Sequence, residues 1–173
     1  MRSPAEKVAL CASFTALGMI LSYVEAVIPI GLLIPIPGFK LGLASLAVML
    51  TYFTLGRWYA LAVSVCRISL SALLFGSATS LWFSLAGGIM AFIPIFIHIP
   101  LLHKRFGILG LSVMCASMHN VGQCLAASVL FGHYVLSFYL PFLLLVSLLT
   151  GSLTGVIVHR IVNIKTFTKG FTK

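Results

Sequence analysis

The stretch "VALCASFTALGMILSYVEAVI", Val8 to Ile28, carries one charged residue, Glu25, in 21 positions. A helix that crosses the hydrocarbon core of a bilayer needs roughly 20 apolar residues, and this stretch supplies them. Arg2 and Lys7 stand before it, as they would before a secretory signal, but no small-x-small cleavage site closes it. It reads as an uncleaved first membrane span.

The rest of the chain repeats that character. Of 173 residues, 61% are hydrophobic and 8% charged, and the mean hydropathy is +1.17. A small water-soluble domain has too little interior to hide so much apolar surface. The expected class is therefore an all-α integral membrane protein, one transmembrane domain over residues 1–173. Apolar runs at 7–30, 41–56, 58–76, 80–101, 108–131 and 137–161 give six expected spans, separated mostly by Gly and Pro. No soluble catalytic domain fits beside them, and no G-x-x-x-x-G-K-[ST] phosphate loop occurs in the sequence.

The basic residues set the expected orientation. Arg2, Lys7, Arg57, Lys104, Arg105, Arg160, Lys165, Lys169 and Lys173 fall on one side of a six-span path, and Lys40 and His133 on the other. Positive charge marks the cytoplasmic side, so both termini are expected there, in a multi-pass protein of the cell membrane. The net charge of +9 then serves orientation and contact with lipid headgroups. Spread over separate loops, these residues form no basic face for nucleic acid. Cys11, Cys66, Cys115 and Cys124 all lie within expected spans without a C-x-x-C pair, and read as small apolar packers.

Ionisable and amide side chains inside spans need a reason, because each costs at least ~2.5–3.5 kcal/mol to insert. Here they are Glu25, Arg67, His119, Asn120 and Gln123. On the expected path Glu25 lies about one turn below the outer surface, Arg67 two to three turns below it, and Gln123 about two. Lys40 belongs to the first outer loop. At ~100° per residue, His119, Asn120 and Gln123 share one ~100° arc, and Ser64 and Ser71 share a stripe with Arg67. Matching depth and one polar stripe per helix point to a shared cavity. The bland alternative is that Glu25 pairs with Arg67 or Lys40 while the amides tie helices together. Yet two cations face one acid, and that imbalance favours an anionic guest, a carboxylate or phosphate that the arginine fork can grip. A metal site on Cys115 and His119, four residues apart, lacks further ligands. His98, His103, His133 and His159 lie near expected membrane boundaries, where a half-polar ring is ordinary.

"ASFTA" places Ala12 and Ala16 on one face of the first span, about 140–180° from Glu25, allowing close approach by another helix. "GSLTG", Gly151 to Gly155, offers a similar face in the last span.

The stretches "YVEAVIP", "PGFKLGLAS", "RISLSALLFGS", "SLAGG", "HNVGQ" and "YLPFLLLVSLLTGSLTG", in that order, resemble the Gx transporter family, whose members often carry the description heptaprenyl diphosphate synthase component I. Glu25, Pro37, Gly38, Lys40, Gly42, Arg67, His119, Asn120, Gly122 and Gln123 fall on the pattern. That family is similar to the S components of energy-coupling factor transporters, which hold a vitamin-like molecule near the outer surface under a loop between helices one and two. The resemblance implies such a six-helix bundle, with Glu25, Lys40, Arg67, His119, Asn120 and Gln123 around the solute. It further implies a gating loop carrying Pro37, Gly38 and Gly42, and docking through Ala12 and Ala16 onto a T-type membrane scaffold served by an ATPase pair. No cofactor is expected.

Catalysis by this chain is not expected despite the family description. Prenyl diphosphate synthesis holds magnesium on clustered oxygen ligands. This sequence has no aspartate, and its two glutamates, Glu6 and Glu25, lie near opposite membrane faces. Three roles compete. The first is a solute-capture subunit with an ATP-driven partner. The second is an autonomous transporter driven by an ion gradient, with Glu25 or His119 titrating. The third is a non-transporting membrane subunit tied to prenyl diphosphate or isoprenoid quinone synthesis.

Overall fold

The computed structural model describes residues 2–27, 42–97 and 107–163, without the side chains of 134–137. These residues form six helices: α1 (Pro4–Val27), α2 (Ser45–Leu55), α3 (Arg57–Phe75), α4 (Ala78–Ile97), α5 (Gly107–Phe131) and α6 (Tyr134–Asn163). No strand occurs among the described residues.

Local chemistry starts and stops the helices. Ser3 and Glu6 form a reciprocal cap on α1: the Glu6 N–H donates to Ser3 Oγ at 3.2 Å, and the Ser3 N–H donates to Glu6 Oε2 at 2.9 Å. This satisfies two of the donors that a helix start leaves open, and Pro4 occupies the first helical position, where its missing N–H is harmless. Ser77 Oγ accepts the Ser80 N–H at 3.1 Å and caps α4 in the same way. Gly56, at φ 99°, lets the chain turn from α2 directly into α3, a conformation that a side chain would strain.

Five helices are long and apolar enough to cross a membrane: α1, α3, α4, α5, and α6 from Phe138 onward. The expected second span does not appear as such. Its helix, α2, has only 11 residues, about 16 Å at 1.5 Å per residue against a core of ~30 Å. What α2 lacks in length it makes up in burial. Ala47 through Tyr52 are buried without a break, which requires neighbours all round the helix, and α2 touches α1, α3, α5 and α6.

α1 and α3 run in the same direction. Tyr23 meets Phe75 at one end, with ring centroids 5.5 Å apart, and Lys7 lies 5.8 Å from the Tyr59 ring at the other. α5 and α6 run antiparallel in intimate contact. A β-carbon on Gly151 would lie 2.7 Å from Val113 Cα, and one on Gly155 3.0 Å from Leu109 Cα. Close backbones of this kind are how helices pack when lipid removes the hydrophobic drive between them. Hydroxyl pairs Ser112–Thr154 at 2.7 Å and Ser117–Ser147 at 2.9 Å run along the same seam. The "GSLTG" face of the sequence is thus spent inside the bundle, against α5.

The main core joins Phe14, Met49, Leu50, Val63, Phe92, Ile95 and Leu111 from five helices. A second cluster gathers Phe83, Cys124, Ala127 and Leu143 on α4, α5 and α6. Outside the bundle, Leu73, Val129, Phe138 and Leu149 are strongly exposed. Large apolar residues facing both inward and outward belong to helices whose surroundings are as apolar as their core.

Candidate functional site

The site lies toward the end of the bundle where α1 finishes and α2 begins, called here the distal end. Its organising residue is Arg67 on α3. The guanidinium stem crosses Gly18 of α1, where any β-carbon would collide with Arg67 Cδ. Beyond the crossing, Arg67 Nη1 donates to Ser22 Oγ at 3.1 Å. One turn further along α1 is Glu25, near enough to act electrostatically on Arg67. A serine, a carboxylate and a glycine on one face of α1 thus accommodate a cation that apolar surroundings would expel. Arg67 and Glu25 are 5 and 2% exposed, so both face inward.

Glu25 has a second task. The Leu43 N–H donates to Glu25 Oε1, and Leu43 belongs to the turn that opens α2, where Gly42 O accepts Ser45 N–H and Leu43 O accepts Leu46 N–H. A carboxylate at a helix N-terminus satisfies open donors and meets the positive end of the helix dipole. The last turns of α1 therefore hold the start of α2. Gly42 has φ 86°, and a β-carbon there would lie 3.4 Å from His119 Cδ2.

His119 on α5 sits opposite. Its ring rests against Gly87 of α4, where a β-carbon would approach Nδ1 and Cε1 to 2.7 Å. His119 Nε2 and Gln123 Nε2 are 3.1 Å apart, one turn apart on α5. With the amide as donor, the ring accepts at Nε2 and carries its proton on Nδ1. Gly122, on the same helix, lets α5 approach α4 so closely that a β-carbon there would lie 2.5 Å from the Ala86 carbonyl oxygen. The "SLAGG" and "HNVGQ" stretches are therefore one contact, glycine against imidazole and glycine against backbone.

Arg67 and His119 border a small cavity of about 20 Å³, together with Ser45, Ser64 and a set of apolar side chains. That is room for about one water molecule. Arg67 Nε, on the cavity wall, has no hydrogen-bond partner among the described residues, nor have Ser71 Oγ and Ser84 Oγ on the bordering helices α3 and α4, nor Gln123 Oε1 one turn beyond His119. Buried polar groups are paired in most structures, so such a concentration marks a place that can receive a hydrogen-bonding guest.

The expected site residues divide accordingly. Arg67 and His119 border the cavity, Gln123 lies one helical turn from His119, and Glu25, on α1 and off the cavity wall, acts on Arg67 from behind. Asn120 points elsewhere: its Nδ2 donates to the Leu143 carbonyl on α6 at 2.9 Å, so half of its amide ties α5 to α6. Gly42 adjoins His119. Lys40, Pro37 and Gly38 lie outside the described residues. Ala12 and Ala16 are exposed, in an open groove of about 430 Å³ between α1 and α3 that also holds Cys11, Cys66 and Leu70. Among the described residues no three His, Cys, Asp or Glu side chains gather as metal ligands.

Ser22, Gly18 and Gly87 join the site only in the structure, although Gly87 belongs to the "SLAGG" stretch. The signal in sequence is the small pair Gly18 and Ser22, one helical turn apart and in line with Glu25. A glycine facing a large polar side chain leaves no trace of its own in sequence.

Fold and site together define a helical protein with membrane-spanning character and a buried arginine–carboxylate–histidine cluster at one end. A family profile described as heptaprenyl diphosphate synthase component I matches residues 14–161. The chain belongs to that family. No curated protein and no solved structure matches it.

Proposed function

We propose that this chain is a membrane transport subunit that captures a small anionic, vitamin- or cofactor-like solute from outside the cell and releases it inward. The observation that carries the reading is the convergence of Arg67 and His119, from two helices, on one buried cavity, with the Glu25 carboxylate of a third helix beside Arg67. Intramembrane charges are expensive and are kept mostly where they bind or move something. Arg67 presents the fork that grips a carboxylate or phosphate, with Nε unspent among the described residues. Lys40 adds a second cation from the loop that precedes Gly42, and that loop serves as the lid. The termini face the cytoplasm in the cell membrane, as the basic residues favour.

Transport is driven by an ATPase pair acting through a T-type scaffold of the energy-coupling factor kind, which docks at the α1–α3 groove. Exposed Ala12 and Ala16 in that groove support this arrangement, because small residues admit a second helix at short range. The chain itself is not an enzyme.

A second reading is favoured by the family description, which ties the chain to prenyl diphosphate synthesis. In that reading the chain anchors or supplies a soluble synthase and moves no solute. Native mass spectrometry of gently purified protein separates the two. Transport requires a small anion that co-purifies and is lost in Arg67→Ala and His119→Ala. Binding unchanged in both variants removes the site. A soluble synthase retained in its place, with no solute bound, establishes the second reading.

A further inference from the structure

The cavity has a direction, and four helices agree on it. On α2, which runs away from the distal end, Ser45 borders it first, and Val48 and Met49 follow one turn deeper. On α4, running the same way, Gly88 comes first, then Ala91 and Phe92, then Ile95. α3 and α5 run back toward the distal end, and there the order reverses. His119 lies one turn distal to Cys115, and Arg67 one turn distal to Ser64. Apart from the Ser64 hydroxyl, every polar group on the wall stands at the distal end and every deeper one is apolar.

α2 and α4 both border this space, and α3 and α5 each pack against both of them. The deep walls can also yield. Met49 is unbranched and repacks readily. Pro94 lies within α4 between the lining residues Phe92 and Ile95. Its missing N–H leaves the Met90 carbonyl without its usual helical donor, a local weakness in the helix that forms one wall.

From this gradient we infer that the solute is an amphiphilic anion: a carboxylate or phosphate head held by Arg67 at the distal end, with an apolar tail directed between α2 and α4. The inference rests on the capture reading above and narrows its substrate class. Below the head, a purely hydrophilic anion would meet only Met49, Phe92 and Ile95, which offer it no hydrogen-bonding group. An uncharged apolar molecule would leave Arg67 Nε without an acceptor among the described residues. With room for about one water in the cavity, the tail enters by turning Met49 and Ile95 aside, so short chains bind first and each added methylene counts.

Straight-chain carboxylates from acetate to octanoate, with succinate and inorganic phosphate as hydrophilic comparisons, test this by calorimetric titration into the full chain in zwitterionic nanodiscs. Affinity is expected to rise about fourfold per methylene, the equivalent of ~0.8 kcal/mol per buried CH₂, until the tail meets the far wall. Arg67→Gln abolishes binding at every length, which separates the site from partition into the bilayer. Ala91→Leu, filling the tail space, flattens the series. A flat series in the unaltered protein, or succinate and phosphate binding as tightly as octanoate, overturns the amphiphile and leaves anion capture standing. A chain-length dependence that persists in Arg67→Gln also overturns it, since it reports lipid partition. No binding by any anion overturns both.

Discussion

Glu25 illustrates how a charge can be kept inside a membrane-spanning bundle by being given two neighbours. Its carboxylate acts on Arg67 from one side and accepts the Leu43 N–H from the other. The two neighbours ask for different things. Arg67 needs a negative charge, whereas Leu43 needs only an acceptor. Glu25→Gln should therefore keep the start of α2 ordered and leave anion capture intact or tighter, since Arg67 loses a competing carboxylate, whereas Glu25→Ala should release the start of α2. Hydrogen exchange at Leu43 to Leu46 checks the first part, with protection near the original level in Glu25→Gln and at least tenfold faster exchange in Glu25→Ala. A bond to a charged acceptor is worth ~1.5–3 kcal/mol, and 1.4 kcal/mol is already a factor of ten. Equally fast exchange in the two variants would show that charge rather than capping holds this turn.

Between elements, the seam of α5 and α6 offers two kinds of attraction whose sizes can be compared. Hydroxyl pairs such as Ser112–Thr154 are worth ~0.6 kcal/mol on average within membranes. Backbone proximity is less forgiving, because a β-carbon at Gly151 lies 2.7 Å from Val113 Cα and backbone cannot rotate away as a side chain can. Thr154→Val is expected to cost under ~1 kcal/mol, and Gly151→Val ~1–3 kcal/mol as the helices are forced apart. Reversible unfolding in mixed micelles reads both. If the threonine variant proved the more damaging, hydrogen bonding would be the dominant glue. α2 makes a different point at this scale: buried on nearly all sides yet about half the length of a span, it is a centrepiece that needs its neighbours to hold it in place.

For the whole molecule, the prediction concerns orientation. A fluorescent protein fused after Lys173 should fluoresce, and alkaline phosphatase fused at His133 should be active, because the first folds in the cytoplasm and the second outside. The opposite pattern would put the Arg67 cluster at the inner leaflet and end the capture reading. The open groove between α1 and α3 and the buried cluster lie on different sides of α1, so a partner helix can dock without touching the solute. Loss of docking in Ala12→Leu or Ala16→Leu should accordingly leave solute binding within about twofold, measured by titration of the purified chain, since sites that share no partners act nearly independently.

Composition and charge placement determined the class of this protein and the limits of five long helices to within a few residues. Those properties follow from what a bilayer demands of any 20-residue segment, and they need no knowledge of neighbours. Depth and helical angle likewise brought Glu25, Arg67 and His119 to one end, because both are arithmetic on a single helix. Three things awaited the tertiary structure. Asn120 shared the arc of His119 yet bonds α6 instead, since an arc about 100° wide faces two neighbours and only packing assigns each residue to one. The shortness of α2 depended on Gly42, Gly56 and burial all round, which an apolar run does not announce. Gly18 and Gly87 acquired meaning only when Arg67 and His119 were laid across them, because a space is defined by the side chain that fills it.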